Sequence, residues 1–244
     1  PTVEIIKGDG DADEGTIAND ANTEAEAVEY EHGETRDIVI NVENTGTEDL
    51  VDVVLTDETL SGTPIEGLLW TTPDGTELVA EDVDGVLTAT WDGPWAPGEV
   101  ITGVATLTLS AGEALHTNLA SVEAEGAGSG TPVEDDDPYN ANPPEPEPEI
   151  GVTKNDEGDD VHEVAVGEHD IVVTITNDGT EALENLEFSD TTESGHDAVW
   201  NAEDLEGLEG LVLEPGESYT VNGTVQVDAG QTHRNNVVIT GTGV

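Results

Sequence analysis

Acidic residues near the start of the chain alternate in a way that could bind calcium. A cation of this kind takes hard oxygen ligands, which side chains at every second position of a loop can supply. Two groups of residues could supply them. The first is Asp9, Asp11 and Asp13, and the second, much further along the chain, is Asp135 and Asp137. The match to an EF-hand is imperfect, because Glu14 stands where that loop needs glycine. The sequence therefore predicts a Ca2+ site in the first half of the chain, with a solvated acidic loop as the alternative.

Two stretches of equal length, 37–57 and 170–190, align without a gap and organise the chain around these residues. Each begins and ends with Asp, alternates apolar residues, and turns at an Asn-x-Gly-Thr-Glu segment. Period-two alternation on both sides of an Asn/Gly turn indicates a β-hairpin or a strand corner. The chain is therefore a tandem repeat of two related β-domains.

The remaining pattern gives the architecture. Short strand signals separated by Asp-Gly and Pro-Gly turns recur without a helical period, which is typical of an antiparallel β-sandwich. We predict an all-β chain with one sandwich at 1–142, a semi-rigid Pro/Glu linker at 143–148 and a second sandwich at 149–244. The segment from Gly8 to about Ala27 is predicted to be a polar loop outside the core.

Acid dominates the composition. There are 57 Asp and Glu against 4 Lys and Arg, a formal net charge of −53, which excludes nucleic acid as a partner. Acid spread over the whole surface predicts a protein of molar salt, where screening removes self-repulsion. There is no cysteine, and no stretch is long enough to span a membrane. A chain that starts at Pro1 and lacks methionine is expected to have lost a leader or been cut from a precursor.

Four features recur in the same order in both halves: a Lys on the first strand, Asn-x-Gly-Thr after the second, Pro-Gly-Glu before a long strand, and Asn opening the last strand. This order resembles the immunoglobulin-like tandem repeats of microbial cell-surface proteins, which the excess of acid would place in haloarchaea. The segments 7–14 and 135–139 are also similar to acidic motifs of the calcium-associated B-type repeats of staphylococcal adhesins. The resemblance implies immunoglobulin-like β-sandwiches and an extracellular, cell-surface location.

The two lysines hold matching positions in the repeats. Lys7 and Lys154 begin domains whose last predicted strand opens at Asn118 and Asn235 respectively. Surface sandwiches of a related kind join such a Lys and Asn by an isopeptide bond, with a buried acid that keeps the amine neutral. From the sequence alone an ordinary ion pair is favoured, because no buried acid can be singled out among 57 carboxylates.

Other candidate residues point to no enzyme. No nucleophile motif accompanies the Ser, His and Asp residues, so we expect no enzymatic activity. His116 and His233 match each other before the last strand, which favours a structural role. Trp95 is assigned to the core, with exposure to a sugar or a partner subunit as the alternative. Asn222 begins a glycosylation sequon.

The prediction for function is an exported structural protein that forms a surface filament or pilus-like homopolymer. An N-terminal strand containing Val3 and Ile5 could complete the sheet of a neighbouring copy. The alternative is an adhesin, a module of a larger surface protein that binds a glycan or a protein.

Overall fold

Alternating apolar residues build strands almost throughout the chain. The computed structural model describes residues 1–154 and 164–244, with 58% of residues in strands and 3% in helix. The all-β antiparallel prediction is confirmed. Two units can be separated, Pro1–Glu145 and Pro146–Val244, and the division lies within the Pro-rich stretch. We call them domain one and domain two.

Domain one contains two six-stranded sheets. Its strands are β1 (Glu4–Asp11), β2 (Thr16–Asn19), β3 (Val28–Glu29), β4 (Thr35–Glu43), β5 (Leu50–Ser61), β6 (Glu66–Thr71), β7 (Glu77–Val79), β8 (Glu81–Val83), β9 (Val86–Trp91), β10 (Val100–Thr108), β11 (His116–Gly126) and β12 (Pro132–Asn142). One sheet has the order β2-β1-β4-β10-β6-β7, and the other has the order β3-β12-β11-β5-β9-β8. A short 3-10 helix, Glu24–Glu26, precedes β3. Both sheets contribute to one core, which includes Ile40, Leu55, Trp70 and Val122.

Domain two repeats this plan with fewer strands. They are β13 (Ile150–Lys154), β14 (Gly167–Asn177), β15 (Leu183–Ser194), β16 (Val199–Trp200), β17 (Ser218–Val227) and β18 (Arg234–Gly243), with a short helix α1 (Ala202–Glu206). The sheets are β13-β14-β17-β16 and β15-β18. The core around Val173, Ile175 and Val221 is correspondingly small.

The two aligned stretches, 37–57 and 170–190, which we call the twin stretches, are strand corners rather than hairpins. In each repeat the first strand belongs to one sheet and the second to the other, so the chain crosses the sandwich at the turn. A buried asparagine fixes the crossing. The side chain of Asn44 donates to the carbonyls of Glu48 (3.0 Å) and Trp95 (2.8 Å). Asn177 bonds the carbonyls of Glu181 and Leu213 in the same way, at 2.8 and 2.7 Å.

The prediction of a polar loop from Gly8 to Ala27 was wrong in part. β1 continues to Asp11, and β2 returns beside its end as a hairpin. Asp9 is 3% exposed and Ala21 is 1% exposed, so the segment closes one end of the core. Strand β12, which carries four consecutive acidic residues at 134–137, was not predicted. Pairing with β11 along its whole length forms it despite two prolines.

Within residues 1–154 and 164–244 no helix is long and apolar enough to cross a membrane.

Candidate functional site

A lysine, an aspartate and an asparagine meet in the centre of domain one. Lys7 lies on β1, and Asp57 and Asn118 lie on the neighbouring strands β5 and β11 of the facing sheet. All three are at most 1% exposed. Lys7 Nζ donates to Asp57 Oδ2, and Asn118 Nδ2 donates to Asp57 Oδ1 at 2.9 Å. A single carboxylate therefore binds the amine and the carboxamide together.

The alternation of each strand explains this meeting. Val53, Leu55 and Asp57 are successive inward-facing positions of β5, and all three are buried. Asp57 thus takes a place in the core row that an apolar residue would otherwise fill. A buried charge without a partner is strongly destabilising, so these three groups stabilise one another's presence in the core.

The environment of Lys7 favours the reactive form of its amine. Burial lowers the pKa of Lys7, although the charges of Asp57 and Asp137 oppose the shift. A lysine without its proton is a nucleophile, whereas the ammonium is not. The adjacent carboxylate of Asp57 is placed to accept the proton that the amine must lose.

Domain two contains the same set of residues in a second arrangement. Asn235 Nδ2 donates to Asp190 Oδ1 at 2.7 Å, and Lys154 Nζ donates to Asn235 Oδ1. The other oxygen of Asp190 accepts the indole N–H of Trp200 at 3.0 Å. Lys154, Asp190 and Asn235 are each partly exposed, so water reaches this site more readily than the first.

In each domain a tryptophan pairs across the sheet with a glycine. Trp70 and Trp200 pair across the sheet with Gly103 and Gly223, where a larger residue would collide with the indole ring. The indole Nε1 of Trp70 has no hydrogen-bond partner in the part of domain one that is described. The corresponding atom of Trp200 donates to the carboxylate of Asp190.

The sequence named both lysines and both asparagines of these sites but not their acids. Asp57 and Asp190 are the closing residues of the twin stretches, and each lies two positions after an apolar residue that packs in the core or against it. Strand alternation extended by one step would therefore have placed both aspartates on the inner face. Trp70 was expected in a core, and it is fully buried there.

The predicted assembly strand lies within its own domain. β1 pairs with β4 from Glu4 to Gly10, Ile5 is 4% exposed, and Val3 packs against the core. On the other side of β1, carboxylates of β12 accept its free amides. Asp135 accepts the backbone N–H of Ile5 at 3.0 Å, and Asp137 accepts that of Lys7 at 2.6 Å. The prediction that this strand is free to join a neighbour does not fit these contacts, because both edges of β1 are occupied.

The predicted calcium ligands have separate partners. Asp9 binds Arg36 and Asn19, at 2.7 and 2.6 Å. Asp11 accepts the backbone amides of the following turn, and Asp13 is exposed. Among the residues described, no group of three or more His, Cys, Asp or Glu is arranged to hold a metal ion. The contacts do not favour the calcium site, which stays a prediction.

Two other sequence predictions concern the surface. Trp95 is fully buried, and its indole N–H donates to the carbonyl of Glu99 at 2.9 Å, so it presents no face to a ligand. Asn222 is exposed, and its side-chain nitrogen donates to Asp204 at 2.9 Å. Its glycosylation stays a prediction.

No protein-family model and no curated protein matches the chain. Among solved structures, the chain is similar to the pilus backbone protein RrgB of Streptococcus pneumoniae, at 12% identity and a TM-score of 0.38, over 98% of this chain and 50% of that one. Domains D2 and D3 of the major pilin SpaD of Corynebacterium diphtheriae give 12% identity and a TM-score of 0.37, over 99% and 83% of the two chains. The collagen-binding domain of a Staphylococcus aureus adhesin gives 8% and 0.31, over 42% and 86%. At these values we base no functional conclusion on the likenesses.

Proposed function

We propose that the chain is a structural module of an extracellular cell surface in which each domain closes an intramolecular isopeptide bond. Lys7 joins Asn118 in domain one, and Lys154 joins Asn235 in domain two. The observation that supports this is the same buried or half-buried set of Lys, Asp and Asn, built twice on equivalent strands.

The chemistry needs no external reagent. The carboxylate of Asp57 accepts a proton from the Lys7 ammonium, and the neutral Nζ attacks Cγ of Asn118. The new C–N bond forms as the bond from Cγ to the original amide nitrogen breaks, and Asp57 returns its proton to that nitrogen. Nζ gives up a second proton as it becomes an amide nitrogen, and this proton also ends on the departing nitrogen, so that the ammonia leaves in its protonated form. No electrons are gained or lost. Asp190 has the same role in domain two.

Such a bond suits a protein without cysteine. An extracellular domain is commonly stabilised by disulfides, and this sequence contains none. A Lys–Asn bond connects the first strand of a domain with a strand near its end, as a disulfide between distant residues would do. We also propose that the protein works in molar salt, which agrees with its net charge of −53. Salt at that concentration would screen the repulsion between the acidic groups and permit the domains to remain compact.

Within this role we favour a filament subunit that assembles with copies of itself over an adhesin. The adhesin alternative had Trp95 or the groove between the domains as its contact, and Trp95 is buried. The bond also limits how a filament could form. Once Lys7 is joined to Asn118, β1 cannot leave its own domain, so assembly would use surfaces other than this strand.

Intact mass spectrometry of the purified protein tests the proposal directly. We expect a mass lower than the sequence mass by two ammonia molecules. The Asp57→Asn and Asp190→Asn variants should each retain one of them, because the acid is neutralised while its shape is kept. A conservative Asp136→Asn change on exposed β12 is the matched control and should still lose two. A wild-type mass equal to the sequence mass would refute the bonds.

Negative-stain electron microscopy in molar salt tests the filament separately. We expect filaments from the wild type and none from monomers held in dilute buffer, where the like-charged copies repel. Single particles under every salt condition would refute the filament proposal without affecting the proposal of the bonds.

A further inference from the structure

The two histidines for which the sequence favoured a structural role lie close in sequence to the asparagines of the two sites. His116 and His233 each stand two residues before the asparagine, so both side chains of a pair project to the same side of the chain. In domain two, His233 Nε2 lies 3.1 Å from Asn235 Oδ1. Lys154 donates to the same oxygen, which is therefore the acceptor of both contacts.

In domain one the corresponding atoms have not yet paired. His116 Nε2 and Asn118 Oδ1 are both buried, and neither has a hydrogen-bond partner within the described residues of the domain. His116 Nδ1 lies 2.7 Å from the carbonyl of Thr63, which can only accept, so Nδ1 carries the ring proton. A neutral ring then has a bare Nε2, and burial favours this form because it lowers the pKa of His116.

The proton balance of the reaction leaves a role for such a base. The attacking nitrogen begins as an ammonium with three N–H bonds and ends as an amide nitrogen with one, so it releases two protons. Asp57 takes the first and returns it to the departing nitrogen. The second can pass to the regenerated carboxylate or to another base, and His116 Nε2 is a bare, buried base on the side chain two residues before Asn118.

We infer that His116 and His233 are catalytic residues of the two centres, each bringing an Nε2 proton to the carboxamide oxygen of the asparagine under attack. In domain two the hydrogen bond is already made. There Asp190, once it has returned the first proton, takes the second from the attacking nitrogen and passes it to the ammonia that leaves. In domain one His116 first takes the second proton from the attacking nitrogen and then donates it to Oδ1, where negative charge develops. When the carbonyl re-forms, the proton passes to the ammonia that leaves. This inference rests on the proposed isopeptide chemistry.

The test follows ammonia loss in full-length protein that carries Asn118→Ala, so that only domain two can react. Protein is made by cell-free synthesis, translation is stopped, and samples are quenched in acid at intervals for intact mass. We expect His233→Phe to slow the reaction roughly 100-fold, the usual effect of removing one such donor. His233→Gln, whose side-chain N–H can reach the same oxygen, should stay within about tenfold of the parent.

A second pair of variants separates catalysis from folding. In an Asn235→Ala background no bond can form in domain two, so the melting temperature reports packing alone. A fall in that temperature for His233→Phe and His233→Gln alike, with equal slowing of the two, would show a structural role and overturn the inference. Reaction of His233→Phe at the parental rate would also overturn it, while the bonds would stand. Absence of ammonia loss from the wild type would instead refute the proposed function itself.

Discussion

The proposed bond between Lys7 and Asn118 should have a measurable effect on the stability of domain one. Changing Lys7 to Met and Asp57 to Asn together removes the nucleophile and the acid but leaves a neutral, similarly sized site. The loop that the bond closes runs from residue 7 to residue 118, close to the case of roughly 100 residues for which chain entropy gives about 4.7 kcal/mol. The double variant should therefore have a free energy of unfolding about 4–5 kcal/mol below that of the linked protein.

A single change provides the matched comparison. Lys7→Met alone also prevents the bond, and it leaves the carboxylate of Asp57 buried without its cation. Breaking a buried ion pair in this way is destabilising by about 3–5 kcal/mol. We therefore expect the free energy of unfolding to fall from the wild type to the double variant and again from the double variant to the single variant, by similar amounts.

Urea titration at a fixed molar concentration of KCl measures these differences. Intrinsic fluorescence follows domain one, which contains Trp70, Trp91 and Trp95, three of the four tryptophans. Domain two keeps its own bond in all three proteins and acts as the internal reference. If the wild type has lost its ammonia but unfolds at the same urea concentration as the double variant, the entropic account of the bond is wrong.

Three further predictions concern single residues. Asp137→Asn should stabilise domain one by roughly 1 kcal/mol at pH 8 and not at pH 4, as measured by thermal melts; this figure is discounted for the partial exposure of Asp137. The sign follows because burial raises the pKa of Asp137 to about 6, so the folded state binds its proton more tightly than the unfolded state and loses stability as pH rises from about 4 to about 6. Asn44→Ala should lower the free energy of unfolding by about 3 kcal/mol in urea titrations, since three bonded backbone groups lose their partner; an unchanged midpoint would contradict the role of the corner. Trp200→Phe should slow ammonia loss in domain two, because Asp190 loses the donor that holds it, whereas the exposed Val199→Thr change should not, as mass time courses would show.

The sequence was informative where strand alternation decides the outcome. The repeat of residues 37–57 and 170–190 predicted two β-domains, because inward-facing apolar residues at period two leave few other folds. The matching lysines and asparagines were found in the same way. Whether the turn of each repeat was a hairpin or a corner depended on Asn44 and Asn177 reaching carbonyls far along the chain, which the local pattern does not contain.

Strand alternation could have placed the acids of the two sites on an inner face, but it could not have identified their partners. Among 57 carboxylates, Asp57 differs from its neighbours only in facing inward and in meeting Lys7 from the other sheet. That meeting depends on how two sheets stack, which no short stretch of sequence encodes. The acidic run of β12 has a structural use that the sequence did not indicate. The spacing of Asp135 and Asp137, on which the calcium prediction drew, matches the spacing of the β1 amides that they accept.

The strands that the proposed bonds would join determine how the chain would respond to force. In domain one the proposed bond would connect β1 to β11, and only β12 lies between β11 and the segment leading to domain two. With both bonds closed, tension applied along the chain passes through Lys7 and Asn118 and then through Lys154 and Asn235. Residues 8–117 and 155–234 lie outside that path and cannot be drawn out. Only residues 1–6, 119–153 and 236–244 could lengthen. The molecule would therefore extend by a short, fixed distance and then resist further extension.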